Sequence, residues 1–247
     1  PRANLRDDRW GGPLENRARF LLEAVRAARA QVGPSFPVSV KLNSADFQKG
    51  GFSFDESLQV ARWLEQEGVD LLELSGGSYE QPKMMDMTGM EAEEQQPVAA
   101  STAAREAYFV DFAKAMKAEV RMPLMVTGGF RTRQAMDHAI DTGAADVVGI
   151  GRPLCGAPLA LAALLDDGTP LPRFERQLHL LPGWLRWLEN VDTVRAMAGF
   201  SVQYWYYAQI YALGRTGRPE PGKSVFAALR EVESRHKALL AERGKGG

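Results

Sequence analysis

Apolar residues at Leu14, Ala18, Leu21, Val25, Ala28 and Val32 recur at spacings of three and four, with Arg17, Arg19, Glu23 and Arg26 largely between them. That period predicts a helix over 14–32, stopped by Gly33-Pro34. The β-branched run Phe36–Leu42 then reads as a strand. A turn at Gly50-Gly51 leads into a helix over about 54–67, with Leu58, Ala61 and Leu64 on one side. Val69–Leu74 is a second strand, running into Ser75-Gly76-Gly77. Helical spacing returns over about 104–120. Pro123–Val126 is a third strand ending in Thr127-Gly128-Gly129, followed by a helix over about 131–142. Asp146–Ile150 is a fourth strand ending in Gly151-Arg152-Pro153.

Residues 35–165 therefore hold four strand-then-helix units, the pattern of a parallel sheet. Runs such as Val38-Ser39-Val40 and Val147-Val148 suit strands buried on both faces. The Met-, Glu- and Gln-rich segment 78–103 has no strand pattern and is long for a connection. Its methionines, Met84, Met85, Met87 and Met90, fit a lid over a site and a solvent-exposed loop equally well. From about 170 the chain reads as helical, with a break at Gly214–Pro219 and a charged helix over about 223–243. The aromatic run Tyr204-Trp205-Tyr206-Tyr207 cannot occupy one helical face, which points to core packing or a subunit interface. Two regions follow, 1–168 and a helical extension over 169–247. A full eight-stranded barrel takes about 250 residues, but this pattern supplies half the strands.

The 247 residues carry 30 Lys+Arg against 31 Asp+Glu, a formal net charge of -1. That balance argues against nucleic-acid and polybasic membrane-surface binding. No apolar run reaches membrane-helix length. The lone cysteine, Cys155, excludes an internal disulfide framework and fits a reducing compartment such as the cytoplasm. The sequence opens on Pro1, which leaves room for residues upstream.

Two features carry chemistry. Thr127-Gly128-Gly129 and Gly149-Ile150-Gly151-Arg152 each lie at the carboxyl end of a strand, in successive units. Glycines there let backbone N–H groups approach an anion. In barrels the loops after the last two strands hold a phosphate, and Arg152 adds a permanently charged clamp. A single Gly-Gly pair would mean only a tight turn, but two in succession, with Arg152, point to a phosphate site.

The runs Val126-Thr127-Gly128-Gly129-Phe130-Arg131 and Gly143-Ala144-Ala145-Asp146-Val147-Val148-Gly149-Ile150-Gly151-Arg152-Pro153 resemble the end of the barrel in the old yellow enzyme family, the FMN-dependent NAD(P)H:flavin oxidoreductases and ene-reductases. The opening agrees. Asn4-Leu5-Arg6-Asp7-Asp8-Arg9-Trp10-Gly11-Gly12 and Glu15-Asn16-Arg17-Ala18-Arg19-Phe20 are similar to the family's N-x-R-x-D-x-Y-G-G and E-N-R-x-R-F, with Trp10 in the Tyr place. The resemblance implies an α/β fold of the (β/α)8 TIM-barrel family, with the last four βα units present here, strands five to eight, plus the C-terminal helical extension.

The resemblance further implies FMN as cofactor and NADH or NADPH as donor, in a ping-pong cycle that ends on an activated alkene or similar electron-poor acceptor. It places Lys41 beside the flavin pyrimidine edge, where a cation stabilises the reduced form. It gives the FMN phosphate to Gly128, Gly129, Gly151 and Arg152, with Gly76 and Gly77 in an adjacent loop. The family's H-x-x-H or H-x-x-N pair and its proton-donating Tyr lie upstream of the opening motif. His138, His179 and His236 have no such spacing, so no catalytic residue is assigned and the chain alone is expected to be inactive. Arg6, Asp8, Glu15, Asn16 and Arg17 read as residues that fix the loop and helix start.

Two alternatives remain. One is a non-catalytic phosphate- or flavin-binding half-barrel, or a subunit completing another chain. The other is an aldolase- or isomerase-type phosphate barrel, against which the opening motifs argue. A small-molecule acceptor is the expected partner, with nucleic acid and membrane excluded and a homo-oligomer left open.

Overall fold

The computed structural model describes residues 4–46, 50–75 and 110–244. The expected lid over 78–103, with Gly76, Gly77 and the first residues of the helix over 104–120, lies outside them. The chain divides into two compact units, 1–150 and 151–247.

The first unit alternates helix and strand: α1 (Leu14–Val32), β1 (Ser39–Asn43), α2 (Phe54–Gln66), β2 (Leu71–Ser75), α3 (Val110–Lys117), β3 (Leu124–Thr127), α4 (Arg133–Asp141) and β4 (Val147–Gly149). The four strands form one parallel sheet in the order β1-β2-β3-β4. Sequential order without reversal is the singly wound arrangement: each right-handed crossover places its helix on the same face.

Side-chain parity shows the result. Val40, Leu72, Leu74, Leu124 and Val126 are buried with the helices, joined by half-buried Leu42 and Val148. Val60, Ala61 and Leu64 of α2 and Ala113 and Met116 of α3 complete this layer. The alternate positions point the other way, and the register lines up Lys41, Glu73, Met125 and Val147 in one row across that second face. Val147 is 40% exposed, and no described helix of this unit packs on that row. The expectation of strands buried on both faces is not met at Val147: among the described residues, the helices of this unit cover one face of the sheet.

Two details of α1 also differ. Val25 is buried, but Ala28 and Val32 are exposed. The last inward position belongs instead to Arg29, one turn beyond Val25. Its guanidinium donates to the carbonyls of Gly33, Phe36 and Gly68 and pairs with Asp70 at 2.5 Å. Satisfying three carbonyls, two where the chain turns into β1 and one where it turns into β2, outweighs burying another methyl group. The first strand starts at Ser39 rather than Phe36, and Phe36 is exposed.

Caps fix the helix starts. Ser53 and Glu56 form a capping box on α2, and Thr132 caps α4 through the Ala135 N–H. Each such cap contributes about 1 kcal/mol.

The second unit is helical among its described residues: α5 (Arg152–Gly156), α6 (Ala160–Asp167), short 3-10 segments at Phe174–Arg176 and Gly183–Asn190, α7 (Asp192–Thr216) and α8 (Val225–Arg243). Its core is Trp205, Tyr206 and Ala208 of α7 packed on Val225, Ala228 and Val232 of α8. The aromatic run divides as its spacing requires. Trp205 and Tyr206 are buried, Tyr204 is half-buried, and Tyr207 is exposed. Trp184 and Trp187 lie on the surface. Gly217, with φ 70°, ends α7 within the expected break.

Candidate functional site

At the carboxyl end of β3 the chain leaves through Gly128 and Gly129, with φ of 119° and 82°. Side-chain-bearing residues rarely adopt those angles, so the turn requires glycine and leaves backbone N–H groups free of Cβ cover. Thr127, the last residue of β3, faces the helix-free side, and its buried hydroxyl has no hydrogen-bond partner among the described residues. Gly149 stands opposite Thr127 in register. A Cβ at 149 would approach the Thr127 Oγ1 to 1.9 Å and the Met125 Cε to 2.7 Å. That glycine is dictated by the neighbouring strand.

Lys41 lies in the middle of β1, two residues short of its end. Its ammonium is on the helix-free face, half exposed, and pairs with Glu73 Oε1 at 2.5 Å. Further along, the carboxyl ends of β1 and β2 are knitted together. Ser75 Oγ donates to Asn43 Oδ1, Asn43 Nδ2 to Asp46 Oδ1, and the Ser44 N–H to the Ser75 carbonyl. Asp46 in turn accepts from the Phe52 N–H, closing the loop after β1. The hydroxyl of Ser44 is buried there without a partner among the described residues.

In the second unit, Gly151 precedes α5 and Arg152 is its first residue, half-buried. A Cβ on Gly151 would meet nothing within 4 Å. Cys155, one turn on, directs Sγ toward the Gly151 carbonyl at 3.9 Å. Burial pushes its thiol pKa up, and the Arg152 charge works against that shift.

The opening motif holds structure together. Asn4 Nδ2 donates to the Trp10 carbonyl, Asp8 accepts from the Trp10 N–H and pairs with Arg6, and Asn16 and Arg17 donate to the carbonyls of Gly11 and Gly12. Arg17 also pairs with Glu56 of the α2 capping box. The Arg6 guanidinium and the Trp10 N–H hold the Asp8 carboxyl below its ordinary value. His138 and His236 are exposed and His179 is half-buried in the second unit. Among the described residues no cluster of His, Cys, Asp and Glu suits a metal, and no helix is long and apolar enough to cross a membrane.

The period-two alternation itself carries the signal for Glu73, Thr127, Asn43 and Ser75, which motif reading passed over. On the face opposite the helix layer, Lys41, Asn43, Glu73, Ser75, Thr127 and Gly149 stand beside the apolar Leu71, Met125 and Val147, a polar content that packing alone does not ask for.

The groups on this face, an ammonium paired with Glu73, a buried hydroxyl without a partner among the described residues and a glycine turn, are of the kind that can meet an anionic group. The fold defines the class, a parallel α/β protein.

The sequence profile of the NADH:flavin oxidoreductase / NADH oxidase family matches residues 1–165, and the chain belongs to that family. The cofactors that go with the family are FMN and NADH or NADPH. The chain is 31% identical over 216 residues to the NADH-dependent flavin oxidoreductase iccE of Talaromyces variabilis, covering 87% of this chain and 51% of that protein. It is 32% identical over 159 residues to the NADH oxidase of Thermoanaerobacter brockii, covering 64% of this chain and 22% of that protein. Among solved structures, a 2-naphthoyl-CoA reductase in complex with 2-naphthoyl-CoA superposes with a TM-score of 0.55 at 26% identity, over 68% of this chain and 24% of that one. The chain spans about half the length of the first of these relatives and about a quarter of the other two.

Proposed function

We propose that this chain is the C-terminal portion of an FMN-dependent oxidoreductase that carries reducing equivalents from NADH or NADPH to an activated alkene or similar electron-poor acceptor in the cytoplasm. In this reading β1 to β4 are strands five to eight of a (β/α)8 barrel, residues 1–168 belong to it, and 169–247 form the extension. FMN, when bound, supplies the two-electron chemistry. Lys41 offers a fixed positive charge to the flavin pyrimidine edge, and Gly128, Gly129, Gly151 and Arg152 hold the phosphate through backbone N–H groups and a guanidinium. The Thr127 hydroxyl is a further donor. The His pair and Tyr that anchor and protonate the acceptor belong to a preceding segment, so this chain alone binds without turning over.

The observation that carries the reading is the helix-free face. Lys41, Thr127 and the Gly128-Gly129 turn all lie on it or at its carboxyl end, in a chain whose family works with FMN. The test is titration of the purified chain with FMN, followed by quenching of flavin fluorescence, with NADPH and cyclohexenone turnover measured in parallel. Saturable binding, weakened at least tenfold by Arg152→Ala and Lys41→Met, with no turnover, is the expected result. Absence of saturable binding at millimolar FMN overturns the assignment.

The same bare face favours a second reading, a non-catalytic subunit that completes another chain's barrel. Light scattering of the chain co-expressed with a candidate N-terminal half separates the two. A defined one-to-one complex without turnover supports the subunit reading, and recovered turnover supports the first.

A further inference from the structure

We infer that Glu73 is a positioning residue that sets how strongly the Lys41 charge acts on the flavin. The inference rests on the reading above, in which Lys41 faces the pyrimidine edge.

Lys41 and Glu73 are direct partners in the β1–β2 register, and both side chains leave the sheet on the helix-free face. Nζ and Oε1 are 2.5 Å apart, with the lysine side chain 52% exposed and the glutamate 22%. The row continues through Met125 and Val147, so Glu73 is the one acid in it. Barrel interiors are filled mainly by branched apolar side chains, and an ion pair this exposed adds little to folding. Neither packing nor stability accounts for a carboxylate at this position.

Electrostatics gives it a use. An ammonium favours a reduced flavin, whose added negative charge spreads over N1 and C2=O. A carboxylate in contact with that ammonium offsets most of its field at a distance and restrains its direction. Glu73 thereby holds the reduced form below the stability an uncompensated lysine would give it. Reduction of FMN then does not become so favourable that the electrons are retained rather than passed on.

The test compares binding of oxidised and photoreduced FMN to the chain carrying wild-type, Glu73→Gln, Lys41→Met and double substitutions. Glu73→Gln is expected to raise the ratio of reduced to oxidised affinity about tenfold, which is about 30 mV in a two-electron couple. Lys41→Met is expected to lower it, and in the double variant Glu73→Gln loses its effect. Should Glu73→Gln leave the ratio within twofold of wild type while Lys41→Met shifts it, the inference fails and the Lys41 assignment stands. A fall in the ratio on Glu73→Gln also overturns it, because the glutamate would then serve only to hold the lysine in place. If wild-type chain binds FMN in neither state, the underlying reading fails and the inference with it. Glu73→Leu, which suits a barrel interior, repeats the comparison if the glutamine variant does not fold.

Discussion

Gly149 and Thr127 face each other across β3 and β4 so closely that a single methyl group does not fit between them, the built Cβ standing 1.9 Å from the threonine hydroxyl. Gly149→Ala must push β4 away or turn Thr127 out of its rotamer. The expected loss is about 1–3 kcal/mol of unfolding free energy, the range for overpacked sites, measured by urea denaturation. Thr127→Ala in the same background should restore part of it by removing the hydroxyl that the new Cβ strikes. No recovery would place the strain in the backbone instead.

Asp70, just before β2, and Asp146, just before β4, perform the same task, and this predicts acid sensitivity. Asp70 accepts from the Val38 N–H and pairs with Arg29; Asp146 accepts from the Leu124 N–H at 2.7 Å and pairs with Lys117 at 2.6 Å. The Val38 N–H and then Arg29 hold Asp70 below its ordinary value. For Asp146, burial pushes upward first, but Lys117 and the Leu124 N–H together win and its pKa is lowered. A carboxylate depressed in the folded state contributes stability that is present at neutral pH and lost as pH falls through the folded value, here below about pH 4. Asp146→Asn is expected to cost about 1 kcal/mol at pH 7, discounted for its exposure, and the gap from wild type should close in acid. A pH-independent gap would show that the charge is not the cause.

Trp205 organises the second unit. Its indole N–H donates to the Lys223 carbonyl at 2.8 Å, and its ring meets Phe174 and Tyr206 at centroid distances of 5.1 and 5.2 Å. Trp205→Ala is expected to cost about 3–5 kcal/mol. Trp205→Phe keeps most of the packing and loses the hydrogen bond, so about 1–2 kcal/mol is expected. Near-ultraviolet circular dichroism together with urea denaturation distinguishes these outcomes. Equal losses would mean that the buried bond, not the ring, is what matters.

The strands and most helix limits follow from local spacing, and so they were legible. Leu58, Ala61 and Leu64 repeat at helical intervals, and Gly33 and Gly217 end helices as glycines do. What spacing could not tell was which side of a strand lacked a cover. Val147 and Val38-Ser39-Val40 look apolar enough to be buried twice, yet sequential strand order sends every crossover to one face. Order is a property of four segments together and is invisible in any one of them. Arg29 misleads in a similar way: a cation on an apolar stripe looks misplaced until the carbonyls of Gly33, Phe36 and Gly68 converge on it. At the site, glycine motifs announced the turns, whereas the Lys41–Glu73 pair needed a register, because its members lie 32 residues apart.

Gly129 and Gly151 separate folding from binding. Gly129 has φ 82°, so Gly129→Ala forces a side chain into a left-handed conformation at about 1–2 kcal/mol. Gly151 has φ −115° and open space where a Cβ would stand, so Gly151→Ala is expected to change unfolding free energy by less than about 0.5 kcal/mol. If Gly151 lies against the FMN phosphate as proposed, that same methyl group occupies the approach to its N–H. FMN affinity should then fall about tenfold while the denaturation curve stays in place. Fluorescence titration and urea unfolding on the same preparation make the comparison direct. Unchanged affinity in Gly151→Ala would remove this glycine from the cradle and leave the phosphate to Gly128, Gly129 and Arg152.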